Sequence, residues 1–167
     1  MSSSLFTVRN ATAEDIATLI ELRAVLLDGT QASYSSRTPE DSARWRTAYK
    51  HWLAGHLGVH DSVQVLVVEH RETGQVVGCA TGIIDLRAPT FANPNGLCGW
   101  VQSVVVAPQW RAQGLARQIM KHLLRWFANR NVVTVALQTT EGASQLYERL
   151  GFCPSGERLL VRQELPQ

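Results

Sequence analysis

Residues 104–116 read VVVAPQWRAQGLA, and this stretch decides how the rest of the chain is organised. The run opens with valines, whose β-branched side chains favour a buried strand. Pro108 ends that strand, because proline has no N–H for a strand ladder and a fixed φ. Gly114 then lies in a short turn. An apolar stripe at the spacing of an amphipathic helix follows it, at Leu115, Ile119, Leu123 and Phe127.

A strand, a glycine turn and a helix in succession predict an anion site, most readily a phosphate site. The first-turn N–H groups of a helix lack internal partners and lie at the positive end of its dipole. A Walker loop would need Gly-Lys-Ser/Thr, but Gly114 is followed by Leu115 and Ala116. A dinucleotide fingerprint would need further glycines that this turn lacks.

The pattern that fits is Arg-x-x-Gly-x-Ala, formed by Arg111, Gly114 and Ala116. VVVAP precedes it, and LYERLGF follows at residues 146–152. Together these motifs resemble the coenzyme A pyrophosphate loop and the later helix of the GCN5-related N-acetyltransferases, the GNAT superfamily. The family often has glycine after the arginine, where this chain has Ala112. The alternative for Gly114 is a tight strand-to-helix turn without a ligand.

The order of elements predicts one α+β domain over residues 1–167. Strands are expected at residues 5–9, 63–70, 75–85, 100–107, 132–138 and 158–163, the last of which would close the sheet. Helices are expected after Thr12 and after Thr38, the second weakened at Gly55 and Gly58, and then at 115–129 and 142–150. This order matches the GNAT (acyl-CoA N-acyltransferase) fold, a mixed central sheet with flanking helices, over essentially the whole chain.

Composition narrows the class of protein. With 45% apolar and 18% charged residues, the chain resembles an ordinary globular protein, and a net charge of +2 favours neither nucleic acid nor a membrane surface as partner. No apolar run suits a membrane span and no signal-peptide core is present, so a cytoplasmic location is expected. The three cysteines form no C-x-x-C, and a surface role is favoured for His56 and His60, so no metal site is expected.

The resemblance implies acetyl-CoA as cosubstrate and assigns its binding residues. Backbone N–H groups of the turn would hold the pyrophosphate, with added charge from the arginine: Arg111, Ala112, Gln113, Gly114, Leu115 and Ala116. Backbone groups of the preceding strand would bond the pantetheine amides and polarise the thioester carbonyl: Val104, Val105 and Val106. The side chains of that strand are expected to pack in the core.

The resemblance also implies that Tyr147 is the general acid. On its short helix it shares a face with Ala143, Leu146 and Leu150, so the phenol is expected to be buried. Amine attack on a thioester expels a thiolate, and because a free thiol has a pKa of about 8.5, protonating the departing sulfur lowers the barrier. The alternative is a core tyrosine with a satisfied hydroxyl.

No general base can be carried over from the family. Gln102 stands near the position where many members have a glutamate, and an amide accepts no proton at neutral pH. Water, Asp85 or Glu141 are possible substitutes, and Asp28 could bind a cationic amine; a surface role is favoured for each. Acceptor selectivity is expected from the loops at 28–37 and 86–99. A packing face is favoured over an aromatic cage for Trp45, Tyr49 and Trp52.

The sequence therefore predicts an N-acetyltransferase that moves acetyl from acetyl-CoA to a primary amine by direct attack in a ternary complex. The acceptor stays open between a small metabolite, a drug, an amino acid and a protein lysine. The resemblance also makes a homodimer possible. Two alternatives remain: a non-catalytic acyl-CoA-binding module of the same fold, which Gln102 favours, and a mononucleotide-binding enzyme that uses the same turn.

Overall fold

The computed structural model describes residues 5–28 and 34–164. Its strands are β1 (Phe6–Asn10), β2 (Val63–His70), β3 (Val76–Leu86), β4 (Leu97–Val106) and β5 (Thr134–Leu137). Its helices are α1 (Ile16–Leu27), α2 (Pro39–His56), α3 (Leu115–Ala128) and α4 (Glu141–Glu148). Short 3₁₀ turns, Ala13–Asp15 and Pro108–Trp110, precede α1 and follow β4. Residues 29–33 of the loop predicted at 28–37 lie outside the described residues.

The strands form one sheet in the order β1-β2-β3-β4-β5. Neighbours from β1 to β4 are antiparallel, whereas β4 and β5 are parallel. The parallel pair follows from its connection, because the chain must cross over through α3 to enter β5 in the same direction. The predicted mixed sheet with flanking helices is thereby confirmed.

The helices cover the two faces of this sheet. On one face α3 buries the apolar stripe predicted from its sequence, with Ile119, Leu123 and Phe127 almost fully inaccessible. On the other face α1 and α2 pack through Leu19 and Leu53 against Val67 of β2. The sheet is therefore buried on both sides, which explains why β2 and β3 are near-continuous apolar runs.

Both helix starts on the second face follow the predicted capping signals. The backbone N–H of Thr12 donates to Asp15 (2.8 Å), and the backbone N–H of Asp41 donates to the Thr38 hydroxyl (3.1 Å) with Pro39 in the first turn. The α2 helix then continues through Gly55 and ends at His56. Gly55 is thus tolerated inside the helix, because packing of the helix outweighs the weak propensity of one residue.

The strand predicted at residues 158–163 is wrong. Residues 152–164 contain neither helix nor strand, and the apolar side chains of this segment are exposed: Leu159, Leu160 and Val161. A strand forms only where a neighbour supplies hydrogen bonds and a face to pack on, and apolar composition alone provides neither. The described sheet therefore ends at β5.

None of the helices within residues 5–28 and 34–164 is both long and apolar enough to span a membrane.

Candidate active site

The site begins where β4 and β5 part. Their parallel pairing starts at Cys98 opposite Thr134 and ends at Val101 opposite Leu137, although β4 continues to Val106. After Val101, one edge of β4 therefore carries backbone groups that no described strand pairs. Such an opening in a sheet leaves N–H and C=O groups free to bind an extended ligand.

A β-bulge in β4 lies at the same place. Thr81 of β3 is opposite Gln102, whereas Cys79 is opposite Val105, so β4 contains one extra residue between these pairs. Ser103 adopts φ +52°, which is unusual for a residue other than glycine. Strain of this kind is concentrated at functional sites, and here it turns β4 away from the regular ladder beside the opening.

A cavity of about 260 Å³ lies at the opening between β4 and β5. The end of β5 and the residues after it form one wall, residues of β4 from Trp100 to Val104 form another, and α1 and Tyr34 close the third side. On the β5 side the lining is polar and uncharged: Gln138, Thr139 and Thr140. The wall formed by these three residues was not predicted, although their position after a parallel strand is where α/β ligands commonly bind.

Tyr147 of α4 lines this cavity and is also buried, with 8% of its surface exposed. Its ring packs edge-on against Phe152 at 5.9 Å between centroids. Burial raises the pKa of Tyr147, so the phenol keeps its proton at neutral pH. No described residue is hydrogen-bonded to its hydroxyl, which leaves this donor available to a ligand. Tyr147 is therefore buried, as predicted, and it also lines the cavity.

The turn before α3 has the geometry of an anion cradle. Gly114 adopts φ +75° and Ala112 adopts φ +61°, two left-handed residues that turn the chain into α3. Gln118 is the first residue whose N–H donates into the helix, to the carbonyl of Gly114 (3.0 Å). The N–H groups of residues 112–117 have no acceptor among the described residues, so they are free to converge on an anion.

Side chains of the turn and of β4 face several directions. The Arg111 side chain is exposed, and its Nε donates to the carbonyl of Val106 (3.2 Å). The Leu115 side chain is buried in the α3 core, so Leu115 offers only its backbone to a ligand. In β4, Val104 lines the cavity and Val105 is buried towards α1 and α2.

A second cavity of about 330 Å³ adjoins the first on the side of α2. Its walls include Trp45, Tyr49 and Trp52, so the aromatic face of α2 is both a packing face and an exposed cavity wall. Tyr49 and Trp52 are stacked at 6.0 Å, and burial raises the pKa of Tyr49 to about 12. The two cavities share three lining residues: Arg23, Leu27 and Gln102.

The structure argues against Asp28 as the binding group for a cationic amine, because its carboxylate already has partners within the protein. Its carboxylate accepts hydrogen bonds from Ser42 (2.8 Å), Trp45 Nε1 (3.0 Å) and Arg46 (3.1 Å). Although partial burial opposes them, these bonds lower the pKa of Asp28 to about 2. Asp28 therefore ties α1 to α2 and has its charge already compensated.

The two carboxylates considered as a base, Asp85 and Glu141, line neither cavity. Asp85 is exposed and pairs with Arg87 at 3.6 Å, and Glu141 is exposed at the start of α4. No described carboxylate lines either cavity. Gln102 does line both, at the position where a base was sought.

The two predicted selectivity loops differ in position. Tyr34, from the first, lines the first cavity. The second loop joins the start of β4, at Leu97 opposite Leu86, and none of its described residues lines either cavity. His56 Nδ1 is paired with the carbonyl of Trp52 (2.7 Å), and the described residues contain no cluster of histidine, cysteine and carboxylate groups suited to a metal.

Comparison with known proteins agrees with this architecture. The model of the acetyltransferase (GNAT) family matches residues 23–152. A GCN5-related N-acetyltransferase from Ralstonia eutropha superposes with a TM-score of 0.78 at 20% identity, over 94% of this chain and 98% of that one. A predicted acetyltransferase from Clostridium acetobutylicum, solved with acetyl-CoA, gives a TM-score of 0.76 at 19% identity, over 94% and 96%.

A relative in sequence is the glucosamine 6-phosphate N-acetyltransferase of Trypanosoma brucei brucei. It is 31% identical over 83 residues, which cover 50% of this chain. The match spans about half of the relative's length, 54%.

The family model covers most of the chain, and the described fold matches those of the two solved structures. This chain is a member of the GNAT family of acetyltransferases.

Proposed function

We propose that this chain transfers acetyl from acetyl-CoA to a primary amine by direct attack within a ternary complex. The single observation that carries the proposal is the edge of β4 left unpaired after Val101, from which we infer a path between the free N–H groups of residues 112–117 and the cavity lined by Val104 and Tyr147. A ligand with a diphosphate at one end and a thioester at the other matches the ends of that path.

Two different parts of the protein would bind the diphosphate and the pantetheine arm of the cofactor. For the diphosphate the turn offers free backbone donors at Ala112, Gln113, Gly114, Leu115 and Ala116. The N–H of Arg111 already donates to the carbonyl of Pro108, so Arg111 would contribute the charge of its exposed side chain. The edge formed by Val104, Val105 and Val106 offers backbone groups to the pantetheine amides. Because these donors belong to fixed backbone, little side-chain entropy is lost when the cofactor binds.

Tyr147 is proposed as the general acid. The amine nitrogen forms a bond to the thioester carbon, the C–S bond breaks, and the phenol proton passes to the departing sulfur. The proton lost by the amine passes to water, and the phenolate recovers a proton from solvent. The phenol carries its proton at neutral pH, as an acid must before the step, although burial raises the pKa of Tyr147 and so makes it a weaker acid.

Deprotonation of the acceptor is assigned to water, since no described carboxylate lines either cavity. We therefore expect the acid limb of the kcat/KM profile to follow the amine pKa of each acceptor. A panel of amines with graded pKa values, assayed between pH 6 and 10, measures this shift. A limb that stays at one pH for every amine would instead identify a base on the protein.

Turnover with a panel of amines tests the proposed function itself. Glucosamine 6-phosphate is included because the sequence relative carries its name, together with glucosamine, amino acids, polyamines and lysine peptides. Cys153 is an exposed free thiol, so CoA release is best measured by chromatography rather than with a thiol reagent. Amine-dependent CoA release with a matching acetylated product supports the proposal.

The same assay, together with measurements of ligand binding, separates the alternatives. The non-catalytic acyl-CoA-binding module is favoured by Gln102 and by the lack of a described carboxylate in the cavities. It predicts tight CoA binding with no amine-dependent release. The mononucleotide-binding enzyme predicts a larger thermal shift with ATP than with CoA, because a ligand selective for the native state raises its stability.

A further inference from the structure

Arg23 of α1 stands out among the residues around both cavities. It lines the first cavity, together with Tyr147, and the second, together with the aromatic face of α2. Among the described lining residues it is the one with a charged side chain. A ligand that fills this space therefore meets one positive charge and no negative one.

Two of the other three half-buried arginines are neutralised by acids, and the third, Arg130, donates to the backbone carbonyl of Asp61 (3.2 Å). Arg9 contacts Asp15 (2.7 Å) and Glu69 (2.6 Å), and Arg46 contacts Glu21 and Asp28. No carboxylate of the described residues lies within 4.0 Å of Arg23. A partly desolvated guanidinium without a counter-ion is poised to gain from an anion, because charge-assisted bonds are stronger away from bulk water.

The guanidinium of Arg23 is held in place by uncharged contacts. Its Nη1 donates to the hydroxyl of Ser103 (2.7 Å), the residue at the β4 bulge, and its Cζ lies 4.5 Å from the ring centroid of Tyr49. The bond to Ser103 uses one of the five N–H donors of an arginine, and the guanidinium also interacts with the Tyr49 hydroxyl. The side chain is thus oriented and retains donors for a ligand.

From these contacts we propose that Arg23 binds an anionic group, a carboxylate or a phosphate, on the amine that the enzyme acetylates. The anion would contact the guanidinium beside Ser103, the body of the acceptor would lie against the aromatic wall of α2, and the amine would point towards Tyr147. This inference rests on the proposed acetyltransferase function and adds the class of acceptor.

Two matched pairs of acceptors distinguish the two sources of negative charge. Glucosamine 6-phosphate is compared with glucosamine, and tyrosine with tyramine, with the wild type and with Arg23→Gln and Arg23→Lys. Arg44→Gln is the control, because Arg44 is exposed on α2 and lines neither cavity. Each kcat/KM is expressed per concentration of unprotonated amine, so that differences in amine pKa do not enter the ratio for a pair, and these ratios are compared between proteins.

We expect the wild type to favour the anionic member of at least one pair by about tenfold or more in kcat/KM. Arg23→Gln should remove that preference through KM, Arg23→Lys should retain part of it, and Arg44→Gln should keep it whole. A preference in the sugar pair alone assigns a phosphate, and a preference in the tyrosine pair alone assigns a carboxylate.

Equal kcat/KM for both members of both pairs with the wild type overturns the proposal, and this comparison needs no variant to fold. A preference that survives in Arg23→Gln overturns it as well. Either result leaves the acetyltransferase function standing, whereas the absence of turnover with every amine would overturn both.

Discussion

Tyr147→Phe is expected to lower kcat by about 10²-fold or more while leaving the Kd for CoA almost unchanged. The phenylalanine ring keeps the contact with Phe152, and the substitution removes only the hydroxyl of a residue that lines the cavity. Without that donor the sulfur must leave as a thiolate, which is the less favourable path. Steady-state turnover and calorimetric titration with CoA measure the two quantities separately.

The pH dependence of kcat in the wild type provides a second test of Tyr147 as the acid. Burial raises the pKa of Tyr147 above the usual value for tyrosine, about 10. The protonated phenol is therefore present at every pH below that value, and wild-type kcat should not fall between neutral pH and about pH 10 through loss of this proton. A variant that turns over at the wild-type rate would show that Tyr147 serves packing alone.

Gly114→Asp is expected to raise the KM for acetyl-CoA by about 100-fold, because like charges placed together cost several kcal/mol. The left-handed φ of +75° is compatible with aspartate and asparagine better than with other side chains, and a Cβ at this position meets no protein atom within 4 Å. The folded turn should therefore survive while its negative carboxylate faces the diphosphate.

Gly114→Asn is the matched control, because it has nearly the same shape and the same tolerance of the left-handed region, without the charge. We expect a much smaller rise in KM for this variant. Similar KM values for acetyl-CoA in both variants and the wild type would contradict a diphosphate site at residues 112–117. The kcat with saturating acetyl-CoA should change little in either variant, because Gly114 does not line the cavity of Tyr147.

The sequence was sufficient for elements whose signals are local. The strand before Pro108, the turn at Gly114 and the stripe from Leu115 are encoded within one short stretch, and the structure has them in that order. The segment at 158–163 failed because its apolar residues indicate a strand only when a partner strand is available. Such partnership depends on the whole sheet and cannot be seen within the segment.

In the candidate site too, features with local sequence signals could be predicted, and features that depend on distant residues could not. Burial of Tyr147 could be predicted from the spacing of α4, and its access to the cavity was implied by the resemblance. Arg23 could not be found, because its contact with Ser103 joins residues 80 positions apart and depends on the bulge in β4. Asp28 was considered as a binding group because its partners on α2, 14 and 17 positions away, are not evident from the sequence.

Backbone amide chemical shifts test the central claim, the diphosphate site before α3, most directly. A ¹⁵N-labelled sample is titrated with CoA and, in parallel, with pantetheine, which lacks the diphosphate. We expect CoA to shift the amides of residues 112–117 strongly, whereas pantetheine should affect residues 104–106 and leave the turn unchanged. Saturating CoA that binds without shifting the amides of residues 112–117 would contradict the site.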